Sequence, residues 1–199
     1  MNLIFLDIDG VMNCEEAYRT GECQYQEWTW EDGRKDHYQR FCSWSKYYLN
    51  KLIDKTDTKI VISSTWRHSG IEFMKKVWEY EKMSGEIIGI TPSIRANGIS
   101  IPRGLEIKYY LENDMKFHHC NWSYIEQKRH IEESGVDNYI IIDDDSDMLY
   151  GQRNHFVHVL PSPRNKRGFN TEYYKQALQK LQSTIYELND IPQEDIVNN

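Results

Sequence analysis

The chain has 199 residues and a net charge of −7, from 31 acidic and 24 basic side chains. This length can bury a core without disulfides or a structural metal, and it fits one domain. The acidic balance argues against a general binder of nucleic-acid backbone, because that affinity depends on Lys and Arg. No apolar run approaches the ~20 residues of a membrane span. Asp7 and Asp9 also interrupt the first apolar run too early for a signal peptide. We therefore expect a soluble, cytoplasmic protein with no membrane partner.

The cysteines do not indicate a structural site. They stand at positions 14, 23, 42 and 120, without any C-x-x-C pair, and are too sparse for a disulfide scaffold. His118, His119 and Cys120 are adjacent, and neighbours along a chain rarely all face one tetrahedral ion. We therefore expect no structural zinc.

Five short apolar runs, bounded by polar or turn-forming residues, predict buried β-strands. They cover residues 3–6, 59–62, 86–90, 139–142 and 156–160. Apolar residues at helical spacing predict helices at 48–53, 71–81, 105–111, 123–133 and 171–188, the last with Asn170 or Thr171 as its N-cap. Strands that alternate with helices indicate a mostly parallel sheet covered on both faces. We predict a three-layer α/β sandwich.

Residues 14–45 do not fit this alternation, because many aromatic side chains are mixed with charges there without a clear period. The segment directly follows the first strand. We interpret it as a small cap or flap beside the site, with a hairpin turn at Asp32-Gly33. A surface loop with an aromatic core of its own is the alternative. Residues 1–189 are otherwise expected to form one domain, followed by a polar tail at 190–199.

Polar side chains stand where the predicted strands end. Asp7 follows the first strand, Ser63 the second, and the acidic run 143–147 the fourth. Ligands of such sheets bind beyond the carboxyl ends of the strands. Asp9 lies two residues after Asp7, and Gly10 permits the turn that lets both carboxylates approach one ion. A donor set of oxygens without His or Cys favours Mg²⁺.

The same residues suit phosphoryl transfer through a carboxylate. This chemistry needs an attacking carboxylate, a second carboxyl that exchanges protons, donors to the phosphate oxygens and a metal that screens charge. The candidates for these roles are Asp7, Asp9, Ser63 with Arg103 or Lys108, and Mg²⁺.

Three motifs, in this order along the chain, resemble those of the haloacid dehalogenase (HAD) superfamily. They are Asp7-x-Asp9-Gly10-Val11, Ile60-Val-Ile-Ser63-Ser64 and Ile140-Ile-Ile-Asp143-Asp144. A closer resemblance is to the HAD domain of "Swiss Army knife" RNA-repair proteins. It rests on the sequences of residues 62–67, 89–92, 103–107 and 142–148. The resemblance extends over residues 1–188 and implies a Rossmann-like fold.

The resemblance also implies roles for individual residues. Asp7 would be the nucleophile and Asp9 the general acid and base. The magnesium ligands would be Asp7, the backbone carbonyl of Asp9 and the Asp144 side chain, and Asp143 would contact the metal or the basic residue. The phosphate-binding residues would be Ser63 and Ser64 with Arg103, for which Lys108 is a rival.

The function implied by the resemblance is a magnesium-dependent phosphomonoesterase that forms an aspartyl-phosphate. Its partner would be a phosphorylated small molecule, such as a nucleotide, or a 3′ or 5′ phosphate end of nucleic acid, and no obligate protein partner is inferred. A catalytically silent HAD-like module that binds a nucleotide or a protein is the alternative. A receiver domain fits poorly, because it would place its acidic pair and its phosphorylated Asp after the first and third strands.

Overall fold

A computed structural model of the chain describes residues 1–114, 134–160, 164–165 and 167–183. The elements in these ranges are β1 (Asn2–Leu6), α1 (Glu15–Thr20), β2 (Tyr25–Thr29), β3 (Lys35–Gln39), α2 (Ser43–Thr56), β4 (Lys59–Ile62), a 3-10 helix (Thr65–Ser69), α3 (Ile71–Glu81), β5 (Ile87–Ile90), β6 (Arg95–Ala96), β7 (Ile99–Ser100), α4 (Arg103–Asn113), β8 (Asn138–Asp143), a second 3-10 helix (Tyr150–Gln152), β9 (Phe156–His158) and α5 (Thr171–Gln182). The residues 118–120 considered for zinc, the predicted helix 123–133 and the tail 190–199 lie outside the described ranges.

The central sheet has five strands in the order β5-β4-β1-β8-β9, and every neighbouring pair is parallel. All five predicted strands are confirmed, with ends that differ from the prediction by at most two residues. Continuous apolar runs specify such strands because both faces of a parallel sheet are covered.

Side chains alternate across the sheet and build a core on each face. From β1, Ile4 and Leu6 pack into the larger core with residues of α2, α3 and α5. Leu3 and Phe5 point the other way, into a second core with α4 residues such as Tyr110. Helices therefore cover both faces, which confirms the three-layer α/β sandwich.

Among the predicted helices that fall on described residues, 71–81 agrees with α3 and 105–111 lies within α4. The helix predicted at 48–53 is longer, because α2 begins at Ser43 and ends at Thr56. The N-cap prediction for α5 is confirmed, because the Asn170 side chain accepts a hydrogen bond from the Glu172 backbone N–H. The predicted end at residue 188 is wrong: α5 ends at Gln182, since Ser183 has extended backbone angles. None of the helices in the described part of the chain is both long and apolar enough to cross a membrane. The cytoplasmic location stays a prediction.

The segment 14–45 contains α1 and the hairpin β2–β3, which turns at Gly33 as predicted. Its aromatic residues do not form a separate core. The Trp28 ring lies 5.2 Å from that of Phe73 and 5.6 Å from that of Tyr80, both on α3. Trp28 and Tyr38 belong to the larger core of the domain. The hairpin is therefore anchored on α3 and has no aromatic core of its own, and the role of the segment as a cap or flap stays a prediction.

A buried carboxylate at the end of α3 stabilises the packing of this hairpin. Glu81 is almost fully covered, and its carboxylate accepts a hydrogen bond from the Tyr38 hydroxyl at 2.8 Å. Lys46 Nζ lies 2.6 Å from it and Arg40 Nε 3.3 Å. Burial alone would raise the pKa of Glu81, but the hydrogen bonds from Lys46, Tyr38 and Arg40 and the charge of Lys46 together outweigh burial and hold the pKa below its usual value.

A Glu81→Gln substitution should lower the free energy of unfolding by about 1–3 kcal/mol at pH 7, the range for hydrogen bonds to charged groups. Because the folded-state pKa is depressed, this contribution is present above the unfolded-state pKa and is lost as pH falls through the folded-state pKa. Urea unfolding at a series of pH values from 7 downward measures it. Glu79→Gln is the control, because the Glu79 side chain is 72% exposed and its ion pair with Lys76 is a surface pair. A difference from wild type that persists unchanged at low pH would contradict this account.

Candidate active site

The polar residues that follow the strands meet at one edge of the sheet. The parallel ladder continues one residue beyond each strand, because Asp7 N–H donates to Ile142 O and Ser63 N–H donates to Leu6 O. Thr91 N–H likewise donates to Ile62 O. Backbone hydrogen bonds therefore fix the loops that follow β1, β4 and β5 side by side.

The turn after β1 is tight because Gly10 has φ of 76°, in the left-handed region that glycine adopts without strain. A Cβ atom at this position would collide with the Asp144 carboxylate. The chain thus needs glycine here both for its backbone conformation and for the close approach of the acidic loop after β8.

Three carboxylates converge beside this turn. Asp7, Asp143 and Asp144 each place one oxygen so that all three atoms lie within 4.8 Å of one another. Arg103 Nη1 lies 3.3 Å from Asp7 Oδ1 and 3.7 Å from Asp143 Oδ2. Asp143 Oδ2 is buried and has no hydrogen-bond partner among the described residues.

This group carries more negative charge than one guanidinium neutralises. Burial raises the pKa of Asp7 to about 7, with smaller contributions from Asp144 and Asp9 that Arg103 opposes. Burial and the charge of Asp7 raise the pKa of Asp143 to about 8, and burial raises that of Asp144. Carboxylates that resist ionisation together, one of which has a buried oxygen without a hydrogen bond among the described residues, fit a divalent cation with oxygen ligands. Asp7, Asp143 and Asp144 are the residues that would hold it.

Asp9 stands apart from these three carboxylates. Its side chain is exposed, and its Oδ2 accepts a hydrogen bond of 2.9 Å from Trp66 Nε1. The carboxylate is therefore held at the solvent side of the site, where a proton-exchanging group is needed. The structure does not place it among the candidate side-chain ligands, and a metal contact through the Asp9 carbonyl stays a prediction.

The two serines after β4 have different surroundings. Hydrogen bonding by the Ser64 side chain lowers the pKa of Asp7, and the Ser64 hydroxyl also accepts from the Trp66 backbone N–H. The Ser63 hydroxyl is fully buried and lies 3.5 Å from the Thr91 hydroxyl. Ser64 is thus the hydroxyl in contact with the candidate nucleophile, although the strand-end motif draws attention to Ser63 first.

The two candidate cations on α4 also have different partners. Arg103 begins the helix, and the Asp147 carboxylate fixes it there by accepting from its backbone N–H at 2.7 Å. Lys108 lies five residues on, about 140° around the axis of a helix with ~3.6 residues per turn. It pairs with Glu112 at 3.7 Å and is 41% exposed. The structure brings Arg103 to Asp7 and does not bring Lys108 there.

A buried ion pair behind the site was not predicted. Arg67 Nη2 lies 2.6 Å from Glu106 Oε2, and both side chains are buried. Arg67 Nη1 also donates to Ser64 O at 2.9 Å, and Glu106 Oε1 accepts from Ile94 N–H at 2.9 Å. The pair joins the loops after β4 and β5 to α4. It therefore braces the segments that carry Ser64 and Arg103.

A signal for this pair exists in the sequence. Glu106 falls on the apolar stripe of α4, next to Ile107 and in line with Tyr110. A charge on a buried stripe requires a partner, because an unpaired buried charge is costly. Arg67 is the residue that meets this requirement, and helical spacing alone does not reveal it.

Comparison with known protein families decides the identity of the fold. The family described as the HAD domain in Swiss Army Knife RNA repair proteins matches residues 3–173. The chain belongs to this family. The resemblance drawn from the motifs is thereby confirmed, and so is the HAD-like nature of the sheet. A search of curated proteins found no match.

Membership of the HAD family indicates a phosphatase-type hydrolase, and HAD domains generally use Mg²⁺. The acidic group of this chain is of the kind that such a cation requires. At the level of the family, the domain is also associated with RNA repair.

Proposed function

We propose that the chain is a Mg²⁺-dependent phosphomonoesterase that forms an aspartyl-phosphate at Asp7 and acts on nucleotides or on 3′ or 5′ phosphate ends of nucleic acid. The observation that carries this proposal is the position of Asp7. One oxygen of its buried carboxyl lies within 4.8 Å of a carboxylate oxygen of Asp143 and of Asp144. Arg103 and Ser64 interact with the same carboxyl.

In the first half of the reaction, Asp7 attacks phosphorus and the leaving oxygen departs on the opposite side. Arg103 and the Ser64 hydroxyl stabilise charge on the nonbridging oxygens, since both already point at Asp7. Asp9 gives its proton to the leaving oxygen. Bound Mg²⁺ would screen the repulsion between the carboxylate and the phosphate and favour the ionised form of Asp7.

In the second half, Asp9 acts as the base for the water that hydrolyses the aspartyl-phosphate. The hydrogen bond from Trp66 holds the carboxylate on the solvent side, where water and the leaving group exchange. A single carboxylate therefore serves as acid and then as base.

Two features support a substrate with a nucleobase. The family is named for RNA repair proteins. Tyr18 of α1 is 44% exposed, and burial together with the charge of Asp9 raises its pKa to about 12. Exposed aromatic rings stack on bases without selecting a sequence. The net charge of −7 favours a nucleotide or a chain end over a long polynucleotide.

The test of the proposed function is phosphate release in Mg²⁺ buffer from mononucleotides, 3′- and 5′-phosphorylated oligonucleotides and sugar phosphates. We expect turnover of nucleotide or oligonucleotide ends, and its loss when the cation is chelated. Preference for sugar phosphates would overturn the substrate class. Tight nucleotide binding without turnover would favour the silent binding module instead.

Replacing Arg103 by Ala should lower kcat/KM by about 10²–10³-fold, the usual cost of removing one charge-stabilising donor. Lys108→Ala removes the same charge from the same helix and should change kcat/KM by less than about twofold, as for a surface pair. Steady-state kinetics on both variants measures the contrast. Equal losses in the two would remove Arg103 from its assigned role.

A further inference from the structure

Three of the four cysteines meet beside the catalytic turn, outside the site described above. Cys14 precedes α1, Cys23 follows it and Cys42 precedes α2. All three are buried and form a small cluster with Ala17 and Trp44. The sulfur of Cys42 lies 3.0 Å from that of Cys14 and 3.8 Å from that of Cys23.

The geometry of this cluster suits a pair of thiols better than a metal site. Thiolates around a tetrahedral ion, with metal–sulfur bonds of about 2.3 Å, would lie roughly equally far from one another. Among the described residues, a group of three potential metal ligands within 4.8 Å of one another is formed by Asp7, Asp143 and Asp144. The three sulfurs do not form such a group. Cys42 instead stands between two partners at unequal distances.

The nearer pair is also held in place by the backbone. Cys42 N–H donates to Met12 O at 2.8 Å, two residues before Cys14. A disulfide has a sulfur–sulfur bond of about 2.05 Å, so closure needs the sulfurs to approach by about 1 Å. Side-chain rotation provides such a movement while the hydrogen bond keeps the two segments together.

The local environment makes one sulfur the better nucleophile. The Cys42 thiol and backbone N–H groups at the start of α1 hydrogen-bond to Cys14 and lower its pKa, whereas the same contact raises the pKa of Cys42. The thiolate is the reactive form of cysteine. Both sulfurs are covered, so an oxidant as small as peroxide is required.

We propose that Cys14 and Cys42 are a peroxide-sensitive pair that forms a disulfide next to the catalytic turn. The Cys14 thiolate attacks one oxygen of hydrogen peroxide, which forms an S–O bond, breaks the O–O bond and releases hydroxide that takes up a proton. Cys42 then attacks the sulfenic sulfur, the S–O bond breaks and the oxygen leaves as water with the Cys42 proton. Two thiols and one peroxide thus give one disulfide and two waters.

The disulfide would link Cys14, just after the catalytic turn, to Cys42, just before α2. It would close a loop of 28 positions that contains α1 and the hairpin β2–β3. A closed loop of this length restricts the unfolded chain, and we expect the melting temperature to rise by about 5–10 °C.

The experiment exposes the folded protein to hydrogen peroxide, then counts alkylatable thiols under denaturing conditions and maps linked peptides without reductant. We expect two thiols to disappear, a link between positions 14 and 42, and a higher melting temperature that dithiothreitol reverses. Cys14→Ser and Cys42→Ser should each abolish the shift, with Cys42→Ala as a second variant if serine perturbs folding. Cys23→Ser is the matched control and should keep the link.

Three results would overturn the proposal. All four thiols could stay alkylatable at peroxide doses that oxidise a small-molecule dithiol. The principal link could join positions 23 and 42. A thiophilic metal could co-purify at one equivalent per chain and be lost in all three cysteine variants.

Discussion

An Asp7→Asn variant should lose at least about 10⁴-fold in kcat while remaining folded, because a carboxamide does not attack phosphorus and the covalent route is closed. The substitution suits the position. Burial raises the pKa of Asp7 to about 7, so the neutral amide resembles a state that the folded protein already tolerates. It also removes one of three crowded acidic groups, and we expect the melting temperature without Mg²⁺ to stay equal or rise.

The matched control for this variant is Asp145→Asn. Asp145 belongs to the same acidic loop as Asp143 and Asp144, but it is exposed and stands outside the group of three carboxylates. Its kcat should remain within about threefold of wild type, as for a surface substitution. Phosphate release under identical Mg²⁺ concentrations measures both variants. Retained turnover in Asp7→Asn, with the fold intact, would exclude Asp7 as the nucleophile.

A Glu106→Gln variant should lower the free energy of unfolding by about 3–5 kcal/mol, because it leaves the buried Arg67 guanidinium without its counter-charge. Glutamine keeps the size of the side chain and an oxygen that accepts from Ile94 N–H, so charge is the main quantity that changes. Arg67 also holds the carbonyl of Ser64. We therefore expect kcat/KM to fall by about tenfold as the phosphate-binding loop loosens.

A double variant distinguishes lost charge pairing from lost packing. Replacing both partners, as Arg67→Met with Glu106→Leu, removes the unpaired charge and should recover part of the stability, because apolar pairs substitute well for buried ion pairs. Recovery is incomplete because Ser64 O and Ile94 N–H each lose a hydrogen bond. Denaturant unfolding of the single variants Arg67→Met and Glu106→Leu and of the double variant gives the coupling energy between the two side chains. Additive losses would show that the two side chains do not act as a pair.

The sheet was predictable because its signal is local. Each strand is an apolar run interrupted by a polar residue, and this pattern specifies both a buried strand and the edge at which its loop emerges. The order of Asp7, Ser63 and Asp143 along the chain therefore predicts a common site. In the structure these residues do follow or end the adjacent strands β1, β4 and β8.

Which of two nearby candidate residues contacts Asp7 was less predictable, because it depends on the direction in which each side chain points. Ser63 and Ser64 are adjacent in the sequence, and only the path of the chain after β4 shows that Ser64 contacts Asp7. Arg103 and Lys108 share one helix, and the start of α4 at Arg103 decides which of them faces the carboxylates. Such differences depend on the residue at which a loop turns or a helix begins, which the apolar pattern does not fix.

Long-range pairings were hidden for a different reason. The ion pair of Arg67 with Glu106 and the cluster of Cys14, Cys23 and Cys42 join segments that are distant along the chain. No spacing rule relates such positions, because loops and the crossing of helices set their distance. The docking of the aromatic hairpin on α3 through Trp28 belongs to the same class.

Anomalous diffraction from crystals soaked in Mn²⁺, which replaces Mg²⁺ at oxygen-ligand sites, tests the central claim most directly. We predict one strong peak per chain at the sheet edge, with carboxylate oxygens from the group Asp7, Asp143 and Asp144 at about 2.0–2.2 Å. A peak elsewhere, or no peak at saturating Mn²⁺ with these side chains turned away from one another, would contradict a shared cation beside the attacking carboxylate.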